Sequence, residues 1–385
     1  MTTNLKIILQ EKHLHIVCLD VPWPPDYGGA IDMMNRIMMF KKLGISIHLH
    51  YFSYNERGTP NELNQFCETI HIYERKTGFK GLSFKLPYII ASRINEELIA
   101  ILNKDNYPIL LEGIHCTGIL PSIDIKNRKI VIRMHNEESI YYKELARSEK
   151  NIFRRLYFRN ESRLLKKYNH HLPDECMYAC VSQEDVRMLK EHFHLSHVEF
   201  IPTFPDWQQV NIEEGVGNFC LYHGNLSVPE NDEAAKWLLQ KVFNKIKTPL
   251  VIAGKNPSQS LEKQAHLCQH TCLVSNPSKA EMNDLVRKAH INILPCFNKK
   301  NTGIRLKLLH ALFEGRHCIV NEPMVEGTGL EAACHTGTTA NAFASIVLQL
   351  YHQPFTSEEI TLRKRLLGDT SDNEKNTRKL IPYLW

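Results

Sequence analysis

Short apolar runs alternate along this chain with longer stretches in which apolar residues recur every third or fourth position. The first kind reads as buried strand, the second as helix with one face turned inward. Residues 15–21 form such a run. Residues 30–43 form such a stretch, with Met33, Met34, Ile37, Met38 and Phe40 on its apolar face and Gly44 ending it. Runs at 45–52, 69–73, 108–114, 129–134, 177–181 and 198–202 continue the strand series. Between them, 78–102 mixes apolar residues with Lys80, Lys85 and Arg93, with Lys76 just before it. It reads as an ordinary amphipathic helix or as a segment on a membrane surface or acceptor cleft. The stretch 137–168 reads as one long helix that turns basic toward its end. Ser182, with Asp185 three residues on, caps another helix. Thr203-Phe204-Pro205-Asp206-Trp207 breaks the alternation and marks a domain boundary.

A second series follows. The strand beginning at Phe219 runs into a Gly224-Asn225 loop, and 232–246 is its helix. Strands are expected at 249–253 and 272–275, a helix at 279–289, and a buried strand at 291–295 that Pro295 ends. Asn301, Thr302 and Gly303 are cap and turn residues for a helix whose apolar face is Ile304, Leu308, Leu309 and Leu312, with Gly315 suited to a left-handed end. A strand at 317–321, a Gly-rich loop into a helix at 326–330, helices at 340–351 and 358–367, and an apolar tail at 380–385 complete the chain. Strand, helix, strand in repeating order predicts an α/β protein with parallel sheets.

Ligands of such sheets sit beyond the carboxyl ends of the strands. Four features lie there. Gly28 and Gly29 stand at the first strand-to-helix turn, where paired glycines allow close backbone approach. They lack the full dinucleotide pattern, and alone they read as a tight turn. His135 follows the fifth strand and is placed to meet a ligand or to cap the next helix. Gly224 and Asn225 follow the first strand of the second series. Arg305 and Lys307 put two cations in the first turn of a helix, where the dipole alone opposes them by about 0.3–1 kcal/mol and a bound diphosphate would reverse the sign.

Composition narrows the class. A chain of 385 residues suggests two domains, and a net charge of +5 argues against a nucleic-acid binder while suiting an anionic ligand. The 11 cysteines are scattered and mostly in strand-like runs, as expected of reduced thiols in a cytosol. Neither a signal peptide nor a membrane-spanning run is expected. His266, Cys268, His270 and Cys272 alternate, with Cys176 and Cys180 close together, but in no common zinc spacing, so no metal site is expected.

In order, the motifs are Pro24-Pro25 with Gly28-Gly29, Arg133-Met134-His135-Asn136 with Glu138, Val181-Ser182 with Asp185, His223-Gly224-Asn225-Leu226, the segment from Gly303 to Gly315, and Glu326-Gly327 with Gly329-Leu330. Together they resemble bacterial glycosyltransferases of the GT-B fold, family 4-like. The resemblance implies two facing Rossmann-like domains with a donor cleft between them. It places an acceptor domain at 1–204, a nucleotide-sugar domain at 205–352, and a helical tail at 353–385 that packs back on the first. It implies metal-independent, retaining transfer from a nucleotide-diphosphate sugar (UDP- or GDP-linked) to a saccharide or lipid-linked acceptor. No cofactor beyond that substrate and no nucleic acid are implied. The setting would be cell-surface polysaccharide or glycolipid synthesis at the inner face of the cytoplasmic membrane, with peripheral membrane contact.

By position, His135 would contact the transferred sugar, and Lys307 with Arg305 would neutralise the leaving diphosphate. Gly224, Asn225, Asn301, Thr302, Gly303 and Ile304 would line the donor, and Gly28 and Gly29 would face the donor phosphates or the acceptor. The family commonly has a ribose-binding Glu where this chain has His310, and Glu314, one turn on, is the expected substitute. That departure keeps a second reading open, a non-catalytic glycosyltransferase-like subunit that binds a sugar nucleotide or a partner. A sugar-nucleotide epimerase would need a set of cleft carboxylates that the sequence does not reveal.

Overall fold

The computed structural model describes residues 11–53, 57–58, 60–149, 151–297, 306–368 and 372–385. The first unit is built on β1 (His13–Cys18), β2 (Ser46–Ser53), β3 (Thr69–Glu74), β4 (Ile109–Glu112), β5 (Ile130–Met134), β6 (Met177–Cys180) and β7 (Val198–Phe200). These form one sheet in the order β3-β2-β1-β4-β5-β6-β7, and every pairing is parallel. The second unit holds β8 (Cys220–Asn225), β9 (Leu250–Lys255), β10 (Thr271–Ser275), β11 (Ile291–Leu294), β12 (His317–Val320) and β13 (His335–Thr336). Their order, β10-β9-β8-β11-β12-β13, is also fully parallel. Central strands covered on both faces have no need of alternation. That is why β4, β5, β6, β11 and β12 are buried at every position.

Helices of the first unit are α1 (Gly28–Lys42), α2 (Tyr88–Ala91), α3 (Glu96–Leu102), α4 (Glu138–Ser148), α5 (Ile152–Asn169) and α6 (Gln183–Phe193). Those of the second are α7 (Pro229–Trp237), α8 (Gln259–His266), α9 (Lys279–Lys288), α10 (Leu306–Glu314), α11 (Glu322–Val325), α12 (Ala340–Leu350) and α13 (Ser357–Gly368). The last helix, α14 (Asn373–Leu380), returns to the first unit. Leu380 and Leu384 are buried in the same apolar cluster as Met33, Met34 and Ile37 of α1, and Asn373 Nδ2 donates to Pro205 O at 3.0 Å.

The order of elements follows the sequence pattern, with local corrections. The stretch 78–102 is not one helix. It breaks into a 3-10 turn, α2 and α3, because Pro87 cannot sit inside a helix and Asn95 caps a fresh one by accepting from Leu98 N. The long helix expected over 137–168 is two, parted at Glu149, with Asn151 capping α5 through Phe153 N and Arg154 N. The helix expected at 232–246 starts earlier, at Pro229, and loosens into π geometry over Leu238–Val242. The loop at 326–330 leads only to a single 3-10 turn and then β13, which the pattern missed along with α8. Gly315 is not left-handed. A Cβ there would lie 2.2 Å from Asn292 Nδ2, so close packing of α10's end on β11 requires glycine.

Candidate active site

The carboxyl ends of the two sheets face each other across a cleft. Gly28, the first residue of α1, lies against Leu306, the first described residue of α10. A Cβ on Gly28 would come within 3.2 Å of Leu306 Cδ1, so a larger residue would push the two units apart. Gly29 is packed on Tyr27, with 3.0 Å from a built Cβ to the ring. Asp26 beside this turn accepts from Lys255 Nζ at the end of β9 at 3.0 Å and from Arg57 at 2.9 Å. Asp206 joins the units a second time by accepting from Asn35 at 2.9 Å and pairing with Lys279.

On the second unit, β8 ends at Gly224-Asn225 and the chain enters α7. Asn231 Nδ2 donates to Asn225 O at 2.9 Å, and Lys307 Nζ donates to Asn231 Oδ1 at 2.8 Å. The Lys307 ammonium also lies 5.4 Å from the centre of the Tyr222 ring, within cation–π range. Lys307 therefore stands at the carboxyl end of β8, on the cleft side. Gly224 sits beneath Asn231, and Asn225 is exposed, its Oδ1 accepting from Ser227. Asn301, Thr302, Gly303, Ile304 and Arg305 lie outside the described residues.

His310 is buried at 6% exposure, its ring stacked on Trp207 (4.4 Å between centres, 17°) and edge-on to His223. Burial holds His310 near pKa 3 and His223 well below its usual value, so both rings are neutral. The Nε2 atoms of both are buried without a hydrogen bond. Glu314, expected to stand in for the family's carboxylate, is committed elsewhere. Its buried carboxylate pairs with half-exposed Arg287 of α9 at the far end of the helix, a full turn beyond His310.

On the first unit, His135 closes a buried network that the sequence did not announce. Its Nε2 lies 3.0 Å from Glu112 Oε2 and its Nδ1 3.6 Å from Asp32 Oδ2, while 13% of the side chain remains exposed. Arg36 donates to both Glu112 oxygens (2.8 and 2.7 Å) and to Asp32 (2.7 Å). Arg133 donates to both Asp32 oxygens and to the carbonyls of Ile201 and Pro202. Burial alone would push Asp32 and Glu112 up. Arg133 and Arg36 on Asp32, and Arg36 with His135 on Glu112, outweigh it, so both carboxylates stay ionised. Asp32 and Arg36 are one helical turn apart among the buried residues of α1, which include Met33, Met34, Ile37 and Phe40. Charges on an apolar stripe were the available signal. The match of Asp32 with Glu112 and Arg133 required the fold.

Asp32, Glu112 and His135 come within 4.8 Å of one another, as metal ligands would. Two arginines already neutralise the two carboxylates, so the group offers a cation little net charge and fits a metal poorly. Three residues past His135, Glu138 is buried, and burial raises its carboxyl to about 7 against the opposing contact with Asn136.

Two parallel Rossmann-like sheets backed by helices, facing each other at their carboxyl ends, define the GT-B fold, and this chain has it. The solved structures it resembles include a sucrose-phosphate synthase from Thermosynechococcus elongatus, with a TM-score of 0.69, 13% identity, and 97% of this chain and 98% of that one covered. WaaG, a glycosyltransferase involved in lipopolysaccharide biosynthesis, matches with a TM-score of 0.61, 12% identity, and 96% and 99% covered. HepE from Anabaena, solved with UDP and glucose, matches with a TM-score of 0.62, 10% identity, and 97% and 99% covered. In sequence, an uncharacterized 44.6 kDa protein in the cps region of Klebsiella pneumoniae is 26% identical over 338 residues, 82% of this chain and 84% of its own length. No family model matches the sequence.

Proposed function

We propose that this chain is a retaining, metal-independent glycosyltransferase that moves a sugar from a UDP- or GDP-sugar to a saccharide or lipid-linked acceptor in surface polysaccharide or glycolipid synthesis. The observation that carries the reading is Lys307, fixed by Asn231 at the carboxyl end of β8 and next to the residue that packs on Gly28 across the cleft. Breaking the anomeric carbon–phosphate bond develops charge on the leaving diphosphate. A preorganised ammonium in a partly desolvated cleft stabilises that charge more in the transition state than before it. Arg305 is assigned the same task from its place in the sequence. On the other wall, Glu112 and Asp32 hold His135 so that its exposed edge meets the transferred sugar. The buried, unbonded nitrogens of His223 and His310 are polar positions a donor hydroxyl would satisfy. The fold shared with HepE, whose structure holds UDP and glucose, and the relative in a cps region support the donor class and the setting.

The acceptor side carries an apolar and basic surface that fits an anionic membrane. Phe79 and Phe84 are fully exposed (93% and 103%), as are much of Ile152, Phe153 and Leu156 at the start of α5, with Lys80, Lys85, Arg154, Arg155 and Arg159 among them. The two patches adjoin, since Tyr88 N donates to Glu161 of α5 at 2.8 Å. Among the described residues no helix is long and apolar enough to cross a membrane, so the contact would be peripheral, at the inner face of the cytoplasmic membrane.

Incubating the purified protein with UDP- and GDP-sugars and a polyprenyl-linked or oligosaccharide acceptor tests the reading. Product of retained anomeric configuration is expected, with EDTA without effect. A second reading, a non-catalytic subunit that binds a sugar nucleotide, is favoured by His310, which lies under Trp207 where the family places a carboxylate. A melting shift with UDP or GDP but neither transfer nor donor hydrolysis would select that reading.

A further inference from the structure

A second cluster of ligating side chains lies at the opposite end of the second sheet, remote from the carboxyl-end cleft. His317 is the first residue of β12 and His335 the first of β13, which pairs with β12 through Ile319. Glu359, in the first turn of α13, reaches the same point. One nitrogen of each histidine and one Glu359 oxygen lie within 4.8 Å of one another. A cavity of about 70 Å³, walled by His335, Glu359, Phe355 and Leu362, opens beside them.

The hydrogen bonds decide what this point lacks. His317 is 1% exposed, and its Nε2 faces the carbonyl oxygen of Gln353 at 3.0 Å. A carbonyl only accepts, so Nε2 carries the proton and the neutral ring presents a lone pair at Nδ1. No hydrogen bond reaches Nδ1, and the Glu359 carboxylate stands 3.4 Å from it. Two acceptors face each other, His317 fully buried and Glu359 partly so, and something positive belongs between them. The other Glu359 oxygen accepts from Thr356 N at 2.9 Å, which fixes the carboxylate in turn. Neighbouring His290 cannot serve. Its Nδ1 accepts from Gly217 N and its Nε2 donates to Leu350 O. Arg363, whose guanidinium bonds to the carbonyls of Gly315 and Arg316, adds an opposing positive charge on the cavity wall.

We propose that His317, His335 and Glu359 bind a zinc-class divalent metal ion that ties α13 to the edge of the second sheet. Bonds of about 2.0–2.1 Å in a tetrahedron place neighbouring ligand atoms about 3.3–3.4 Å apart. His317 Nδ1 and Glu359 already stand at that spacing. His335 is half-buried at the edge strand and closes the third position by a small side-chain movement, leaving the fourth to water. The Gln353 carbonyl supplies the outer contact that metal-bound histidines commonly make. The site is independent of the transfer chemistry proposed above, which needs no metal.

Zinc titration of the full-length, metal-stripped protein, followed by calorimetry and by melting temperature, tests this. The expected result is one zinc per chain at this site, a higher melting temperature in excess zinc, and tetrahedral cobalt absorption on substitution. His335→Ala and Glu359→Gln should each weaken binding by about 100-fold or more, with unchanged circular dichroism in the absence of zinc. Cys272→Ser, at the exposed alternating Cys/His segment, should leave it intact. Failure to bind zinc, or binding that survives both His335→Ala and Glu359→Gln, overturns the proposal. In that case a proton on His317 fills the gap as a plain ion pair. If one variant does not fold, the other carries the comparison.

Discussion

Replacing Glu138 with glutamine removes a carboxyl that the fold keeps protonated close to neutrality. Its midpoint rises from 4.5 to about 7 because burial at the start of α4, with Glu137 and Asp185 near, outweighs the contact with Asn136 and the charge of Arg93. At about 1.4 kcal/mol per pH unit, ionising it in the folded state costs about 3 kcal/mol more than in the unfolded chain. The folded value lies above the unfolded one, so folding takes up a proton between them. The group's contribution to stability is complete below pH 4.5, declines from there to about 7, and is level beyond. Glutamine keeps the shape and the contact with Asn136 but has nothing to ionise. Urea unfolding of both proteins at half-unit steps from pH 4.5 to 8.5 should therefore show Glu138→Gln gaining on the parent by about 3 kcal/mol across the interval, nearly all of it before pH 7. Two stability curves that stay parallel through this range would mean that Glu138 is ionised at little cost, and the burial argument would be wrong.

The other predictions address the cleft and the opposite pole of the first sheet. Lys307→Ala should slow transfer by on the order of 100-fold in steady-state assays with saturating donor; an unchanged rate removes Lys307 from the chemistry. Glu112→Ala leaves Arg36 and Arg133 with only the Asp32 carboxylate between them in the core and should cost about 3–5 kcal/mol in denaturant unfolding, whereas Glu112→Gln should fold yet lose activity as His135 loses its anchor. Phe79→Ser with Phe84→Ser should abolish cosedimentation with anionic vesicles and leave transfer to a water-soluble acceptor untouched. His15 and His50, bonded to each other at 2.9 Å, are held by burial near 4 and 2. Their folded values lie below the unfolded 6.5, so their stability is present above pH 6.5 and is lost as pH falls. His50→Gln should flatten that acid slope by about 1.4 kcal/mol per pH unit.

The succession of strands and helices could be read from the chain because each buried parallel strand must be a continuous apolar run and each covering helix must show one apolar face. That logic locates β1 to β12 and puts Gly28, His135, Gly224 and Lys307 at strand ends. It failed where a single residue overrode the pattern, as Pro87 does within 78–102, and where an element is too short to have a period, as β13 is.

Pairing across distance was beyond it. Nothing in the order of residues says that Arg36 and Arg133 share Asp32, that Glu112 lies beneath His135, that Asn231 holds Lys307, or that Glu314 turns away to Arg287. These are contacts between elements up to a hundred residues apart, fixed by sheet order. The same holds for His317, His335 and Glu359, which come together only because β13 adds to the sheet edge beside β12 and α13 folds back across it. A sequence determines which faces must be buried, since hydrophobic burial depends on local composition. Which charges meet inside depends on packing geometry, because a buried ion is tolerable only where the completed fold brings its counter-ion within reach.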